Sequence, residues 1–482
     1  MKKSLTKNYI YNLIYQILIL IVPFITIPYI SRVLGAENIG IYSYTISISA
    51  YFILFGSLGI ALYGQREIAF FQKDKKKYSV VFWEVLILRI ITMMISLVLF
   101  YIFFVRGKQY QVYYRILIIE IIGNCVDTSW FFQGLEEFKK IVLRNTIIKI
   151  ISVISIFVFV KTKDDLIIYF IIYVLSVLIG NISLWLYIPK YIKKVKFKEM
   201  KIFRHLKPTI SLFIPQIAIQ VYTLLDRTMV GAIIENKSEV GFYDQSQRII
   251  KVILVIITSM GTVMMPRVAN KFANGEKEKI QEYMKKSFNM VFFIAFPFIF
   301  GVLTVSKLFV PIFFGPGYDR VSELMCVISP ILLLIGLSNV TGMQYLLPTK
   351  RQKEFTISVI GGAVINFSLN MLLIKRLGAL GASIGTVIAE TTVTGIQLYC
   401  VRKEFNIGRI LALSKNYIVS GIIMYIICFV IQSRISNNLV SIITQVCIGG
   451  TVYFLCLIAF KDKFLFEIFQ RIKSKLLKNK RA

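Results

Sequence analysis

Histidine is nearly missing from this chain: His205 is the only one in 482 residues. A histidine-ligated zinc centre or a serine–histidine pair buried in a membrane is thereby excluded. The six cysteines, Cys125, Cys326, Cys400, Cys428, Cys447 and Cys456, fall in apolar runs or at their ends, with no C-x-x-C spacing. They read as small core residues rather than disulfides or metal ligands. No G-x-x-x-x-G-K-[ST] loop occurs, which argues against ATP as a direct drive. No short apolar core with a small-residue cleavage site opens the chain; the first apolar run, residues 9–30, is long enough to span and is expected to insert and stay. Acids are scarce as well, 25 Asp and Glu against 57 Lys and Arg, for a net charge of +32.

Apolar residues, by contrast, make up 56 % of the chain and aromatics 14 %. That is far more than a soluble core needs, and it describes a polytopic, all-α membrane protein. Nucleic-acid binding would need a basic face on a water-soluble domain, and none is left once the apolar runs are removed. At about 20 residues per span, fourteen spans are expected: 8–30, 41–62, 80–104, 112–132, 141–160, 165–189, 209–234, 240–265, 287–312, 321–347, 355–374, 379–400, 416–433 and 438–460. With the N-terminus inside, forty Lys and Arg fall on inner segments and about ten on outer ones. The charge is therefore mostly a topology signal, placing both termini on the cytoplasmic side of the cell membrane.

Sliding the chain by 201 residues lays Gly40 and Tyr42, in "GAENIGIY", on Gly241 and Tyr243, in "KSEVGFYD", and the first span on the seventh. Six spans separate the copies, so the repeat is parallel, about an axis along the membrane normal. It predicts a two-lobed transporter: residues 1–208, residues 209–400, and an addition at 401–482 whose job the repeat leaves open. Pro23 and Pro28 in the first span and Pro215 in the seventh mark where equivalent helices can bend.

Ionisable groups deep in a span cost at least about 2.5 kcal/mol unless they face a cavity or a partner. Arg89 lies near mid-membrane in span three, with Thr92 and Ser96 on its face. Asn145, Lys149 and Ser152 form one stripe in span five, and Asp244, Arg248 and Lys251 repeat that spacing in span eight. Spans four, seven and twelve add Arg115, Glu120, Asp127, Asp226, Arg227 and Glu390. Asp226 with Arg227 and Asp244 with Arg248 read equally well as helix-clamping ion pairs. Arg89 and Lys149 have no acid of their own span beside them, and cations converging on a wet cavity would bind a phosphate or pyrophosphate head group. Asp127, Asp226, Asp244 and Glu390 are the candidates for ion coupling or gating.

The stretches "YISRVLGAENIGIYSY", "DTSWFFQGLEEFKKIVLRN", "PQIAIQVYTLLDRTMVG", "VGFYDQSQRI", "MMPRVANKF", "FGPGY", "QYLLPTKRQKEFTISVIGGAVINFSLN" and "LGALGASIGTVIAE" resemble the oligosaccharide flippases of capsule and O-antigen pathways, the Wzx type. That family belongs to the wider superfamily of lipid II flippases and multidrug exporters. The resemblance runs in order from about residue 8 to 400. It implies two six-helix bundles in a V around a central cavity, plus two further helices. It implies alternating access, no cofactor, and an undecaprenyl-pyrophosphate-linked oligosaccharide as substrate. Membrane lipids and the polymerase and glycosyltransferases of the same pathway are the implied partners. The tendency it transfers is that Arg32, Arg89, Lys149, Arg248 and Lys251 hold the pyrophosphate. Two other readings compete: a drug or cation antiporter or lipid II-type flippase of the same fold, and a membrane glycosyltransferase or polymerase. The enzyme would carry a large outer loop, whereas the longest outer segment here is about ten residues.

Overall fold

The computed structural model describes residues 5–107, 109–196, 198, 200–467, 469, 470 and 474, with side chains described from residue 21 onward except at 214–216, 218, 219, 221 and 222. Lys2, Lys3, Lys108, the side chain of Pro215 and the tail cations Arg471, Lys473, Lys475, Lys478, Lys480 and Arg481 lie outside the described residues.

The described residues form helices and connecting turns, in two compact units, 1–241 and 242–482. Twelve helices among them are long and apolar enough to cross a membrane. The first of the twelve, 50 residues over Ile21–Phe70, covers the end of the first expected span and all of the second, in a helix that begins at Leu5. Together with the seventh, part of which is not described, they match the fourteen expected.

In the first unit, α1 (Leu5–Ser57) is helical through Pro23 and Pro28 and departs from helical geometry at Gly35, with φ 77° and ψ 169°. The bend expected at the prolines is therefore at the glycine, which alone reaches positive φ without a Cβ penalty. Helices α2 (Ile60–Phe70), α3 (Lys75–Phe100), α4 (Gln111–Cys125), α5 (Ser129–Gly134), α6 (Phe138–Phe159), α7 (Leu166–Trp185), α8 (Ile188–Tyr191) and α9 (Leu206–Ile233) follow. Asp74 caps α3 by accepting from the Lys76 and Lys77 amides. The "SWFFQG" motif is α5: Trp130, Phe131 and Phe132 are all buried in one core with Phe82 of α3, Ile60 of α2 and Leu184 of α7. Those aromatics hold the unit together rather than lining a path.

The repeat glycines meet. A Cβ on Gly40 would collide with the Lys237 carbonyl, and one on Gly241 with the Ala36 carbonyl. Thus the two polar breaks that match in sequence pack backbone to backbone, inside the first unit. Helix α9 packs on α1 as well, Ser47 and Thr228 sharing a hydrogen bond at 2.9 Å.

Most of α10 (Ser238–Ala273) belongs to the second unit. After it come α11 (Lys277–Phe314), α12 (Asp319–Ile328), α13 (Ile331–Ser338), α14 (Gln352–Leu377), α15 (Ala379–Val401), α16 (Ile407–Leu413), α17 (Lys415–Arg434) and α18 (Asn438–Ala459). Within "QYLLPTKRQKEF", Arg351 ties the start of α14 to the end of α15, donating at 2.9 Å to Glu354, 2.9 Å to Glu404 and 3.0 Å to the Cys400 carbonyl. The added helices α17 and α18 pack on each other and on α11, where the Tyr453 hydroxyl donates to the Phe293 carbonyl at 3.1 Å.

Candidate functional site

The polar stripe of α6 faces a cavity of about 420 Å³ in the first unit. Asn145, Lys149 and Ser152 line one wall; Asn124, Asp127 and Ser129 come from the α4–α5 junction, and Tyr173, Ser176 and Asn181 from α7. Arg144, one residue before the stripe, completes the lining. Its guanidinium is aimed by three acceptors: the Gly180 carbonyl at 2.9 Å, Asn181 Oδ1 at 2.9 Å and Ser129 Oγ at 3.2 Å. Asn181 is fixed in turn by donating to the Gly123 carbonyl at 2.9 Å. Three of the five Arg144 N–H donors are thus committed to the protein, which fixes the plane of the guanidinium.

Arg144 stands at the start of the expected span 141–160, where boundaries are uncertain by several residues, and is not among the cations expected to hold a head group. The signal that finds it is its adjacency to the Asn145–Lys149–Ser152 face.

Arg89 is elsewhere. It is 3 % exposed, donates from Nε to the Asn124 carbonyl at 2.9 Å and pairs with Asp127 at 3.6 Å. The acid missing from its own span is supplied by the end of α4, where a cation also suits the helix C-terminus. Asp127 accepts from the Ser129 amide at 2.9 Å and from the Ser129 hydroxyl at 2.5 Å, so it holds the first residue of α5 and orients the cavity's hydroxyl. Arg89 thus shapes the cavity through Asp127 and is not among its lining residues. Arg32 lies exposed on α1, Lys149 is exposed at the cavity, and Asp226 is buried on α9.

Arg248, Lys251, Asp244 and Glu390 belong to the second unit. Asp244 is buried and bonded to Arg248 Nε at 2.8 Å, the i,i+4 clamp that the spacing allowed. Lys251 is exposed, and Glu390 is buried on α15 one turn from Thr386, which shares a 3.1 Å hydrogen bond with Tyr243. A second cavity, about 330 Å³, is bounded by Pro297 and Gly301 of α11, Met424 and Cys428 of α17, and Val446 and Gly450 of α18. Its walls are almost wholly apolar, so it suits a hydrocarbon chain and not a charged group.

His205 sits outside both cavities, buried just ahead of α9. Its Nδ1 meets the Tyr63 hydroxyl at 2.6 Å and its Nε2 the Glu84 carboxylate at 2.8 Å. Burial pushes the imidazole below its ordinary value, while hydrogen bonding to Glu84 pulls the other way.

A family model described as "Polysaccharide biosynthesis protein" matches residues 5–272, more than half of the chain, and one described as "MatE" matches residues 212–372. Over 84 % of its length the chain is 28 % identical to 98 % of a protein of Escherichia coli (strain K12) named "Putative O-antigen transporter". A protein of the same name from Shigella dysenteriae is 23 % identical over 79 % of this chain and 96 % of its own. The fold is similar to that of the lipid II flippase MurJ in an inward closed conformation, with a TM-score of 0.76 and 18 % identity over 94 % of this chain and 99 % of that one.

Proposed function

Because the chain belongs to the polysaccharide biosynthesis protein family, we propose that it is a flippase of lipid-linked glycans, moving undecaprenyl-pyrophosphate-linked oligosaccharide units from the cytoplasmic to the outer leaflet by alternating access. It makes and breaks no bond in its substrate. The observation that carries this reading is the first unit's polar cavity, where Arg144 and Lys149 stand among amide and hydroxyl groups inside a membrane-spanning bundle. Such a lining suits a pyrophosphate and a sugar, because charge-assisted donors bind the phosphates while Asn and Ser groups pair with hydroxyls. In this reading Lys149 and Arg144 contact the head group, Arg89 positions Asp127, and Arg248 and Lys251 serve the second lobe of the repeat. The apolar cavity against α17 and α18 takes part of the polyprenyl chain, which gives the added helices a role.

The MatE match favours a second reading, a drug or cation antiporter. Such a protein gains nothing from cations in its cavity. In proteoliposomes carrying a fluorescent polyprenyl-pyrophosphoryl oligosaccharide, Lys149→Ala should lower the flipping rate at least tenfold, with Lys149→Arg recovering much of it. Unchanged flipping by Lys149→Ala, or export of organic cations in its place, overturns the assignment.

A further inference from the structure

Glu120 of α4 is 4 % exposed, and two hydroxyls from two other helices converge on its carboxyl. Ser49 Oγ of α1 lies 2.8 Å from Oε2, and Tyr173 Oη of α7 lies 2.7 Å from Oε1. Among the described residues no Lys, Arg or His forms an ion pair with it. The elements packed on α4 explain why. Helix α3 brings Arg89, which donates from Nε to the Asn124 carbonyl and pairs through Nη2 with Asp127, its Nη1 being buried without a partner among the described residues. Helix α7 brings Tyr169 and Tyr173, and α1 brings Tyr42, whose ring packs against both. The turn at Tyr101–Val105 carries no ionisable side chain but the exposed Tyr101.

A carboxylate in a bilayer without a counter-charge is costly, and a neutral carboxylic acid far less so. The hydroxyl geometry serves both forms. Ser49 has one proton and two acceptors in reach, Glu120 and the Ile46 carbonyl at 3.0 Å. With that proton turned to Ile46, as serine in a helix readily does, Ser49 Oγ accepts and the acid's own O–H supplies the bond. With it turned to Glu120, an ionised carboxylate receives two donors. Tyr173 also lines the polar cavity, so the residue bonded to the buried carboxyl is one of the cavity's walls.

We infer that Glu120 is a proton-binding site that exchanges its proton with the first unit's cavity through Tyr173. Loading takes one proton from a hydronium ion in the cavity to Tyr173 Oη as the phenolic proton passes to the carboxylate. Water, a neutral phenol and a neutral acid remain, and release reverses the step. The inference concerns the proton alone and does not rest on the glycan reading.

Infrared spectroscopy of the purified, lipid-embedded protein tests it without any substrate. At neutral pH the difference between wild type and Glu120→Gln should contain a carboxylic-acid C=O band, shifted by deuterium. In Glu120→Asp the band should move, and in Tyr173→Phe it should persist with slower deuterium exchange. Symmetric and antisymmetric carboxylate bands in that difference, with no acid band, overturn the site. Exchange as fast in Tyr173→Phe as in wild type overturns the route.

Discussion

Arg89 and Lys149 read alike in the sequence, each a cation well inside a span with no acid of its own helix beside it, yet the structure gives them opposite environments. Arg89 is enclosed with Asp127, and Lys149 opens onto the cavity. Removing Arg89 leaves a partly buried carboxylate uncompensated, so Arg89→Ala should cost about 3 to 5 kcal/mol of stability. Lys149→Ala should stay within about 0.5 kcal/mol, as exposed substitutions do. Unfolding in detergent micelles separates them, and an Arg89→Ala protein as stable as wild type contradicts its positioning role. The buried histidine makes a second prediction. Since folding holds His205 below its ordinary value of about 6.5, the unfolded chain takes up the proton first as pH falls. Its contribution to stability is therefore whole above that value and is lost as pH drops below it, toward the folded value. Between about pH 7.5 and about pH 5.5 the thermal midpoint of wild type should fall further than that of His205→Gln; parallel profiles would remove His205 from the account.

Two helical segments meet at the repeat glycines, and the contact has no room for a methyl group. Gly40→Ala should overpack the contact with the Lys237 carbonyl and cost about 1 to 3 kcal/mol. Gly395, in the middle of α15, has open space where its Cβ would go. Gly395→Ala should be neutral or stabilising by about 0.5 to 1 kcal/mol, the usual gain of a helical Gly→Ala change. Equal effects at the two positions would mean that the backbones of α1 and residues 237–241 are not in contact. The added helices α17 and α18 also have a place that the twelve-span repeat does not supply. They close one side of an apolar cavity on α11.

For the whole molecule, the substrate proposed above makes charge the determinant of direction. A pyrophosphate-linked head group carries about two negative charges, and an inside-negative potential acts on each by about 2.3 kcal/mol per 100 mV. Outward movement is then favoured by up to roughly 4 to 5 kcal/mol, less if protein cations travel with it or a cation is exchanged. Flipping toward the positive side should rise with an imposed potential and ignore added ATP. A rate indifferent to potential and to proton or sodium gradients would leave facilitated equilibration, with direction set by removal of product outside. Topology is checked separately: reporter fusions after Lys77 and Lys194 should read cytoplasmic and one near Lys161 external, an external reading at Lys194 breaking the span order.

The sequence by itself determined the all-helical membrane class, the number of spans, their expected orientation and the stripe Asn145–Lys149–Ser152, because span length, cation placement and helical spacing are local quantities. It also matched Gly40 with Gly241, but as a repeat and not as a contact. Only the tertiary structure decided that these glycines touch, that Arg89 belongs to Asp127, that Arg144 joins the cavity, and that Glu120 lies between Ser49 and Tyr173. Each of those facts joins residues from different helices, and which faces of two helices meet is set by packing across tens to hundreds of residues of chain. The same distinction explains the bend of α1. Proline marks where a helix can bend, while neighbouring contacts decide whether it does, and here the bend falls at Gly35, next to the contact that Ala36 makes with Gly241.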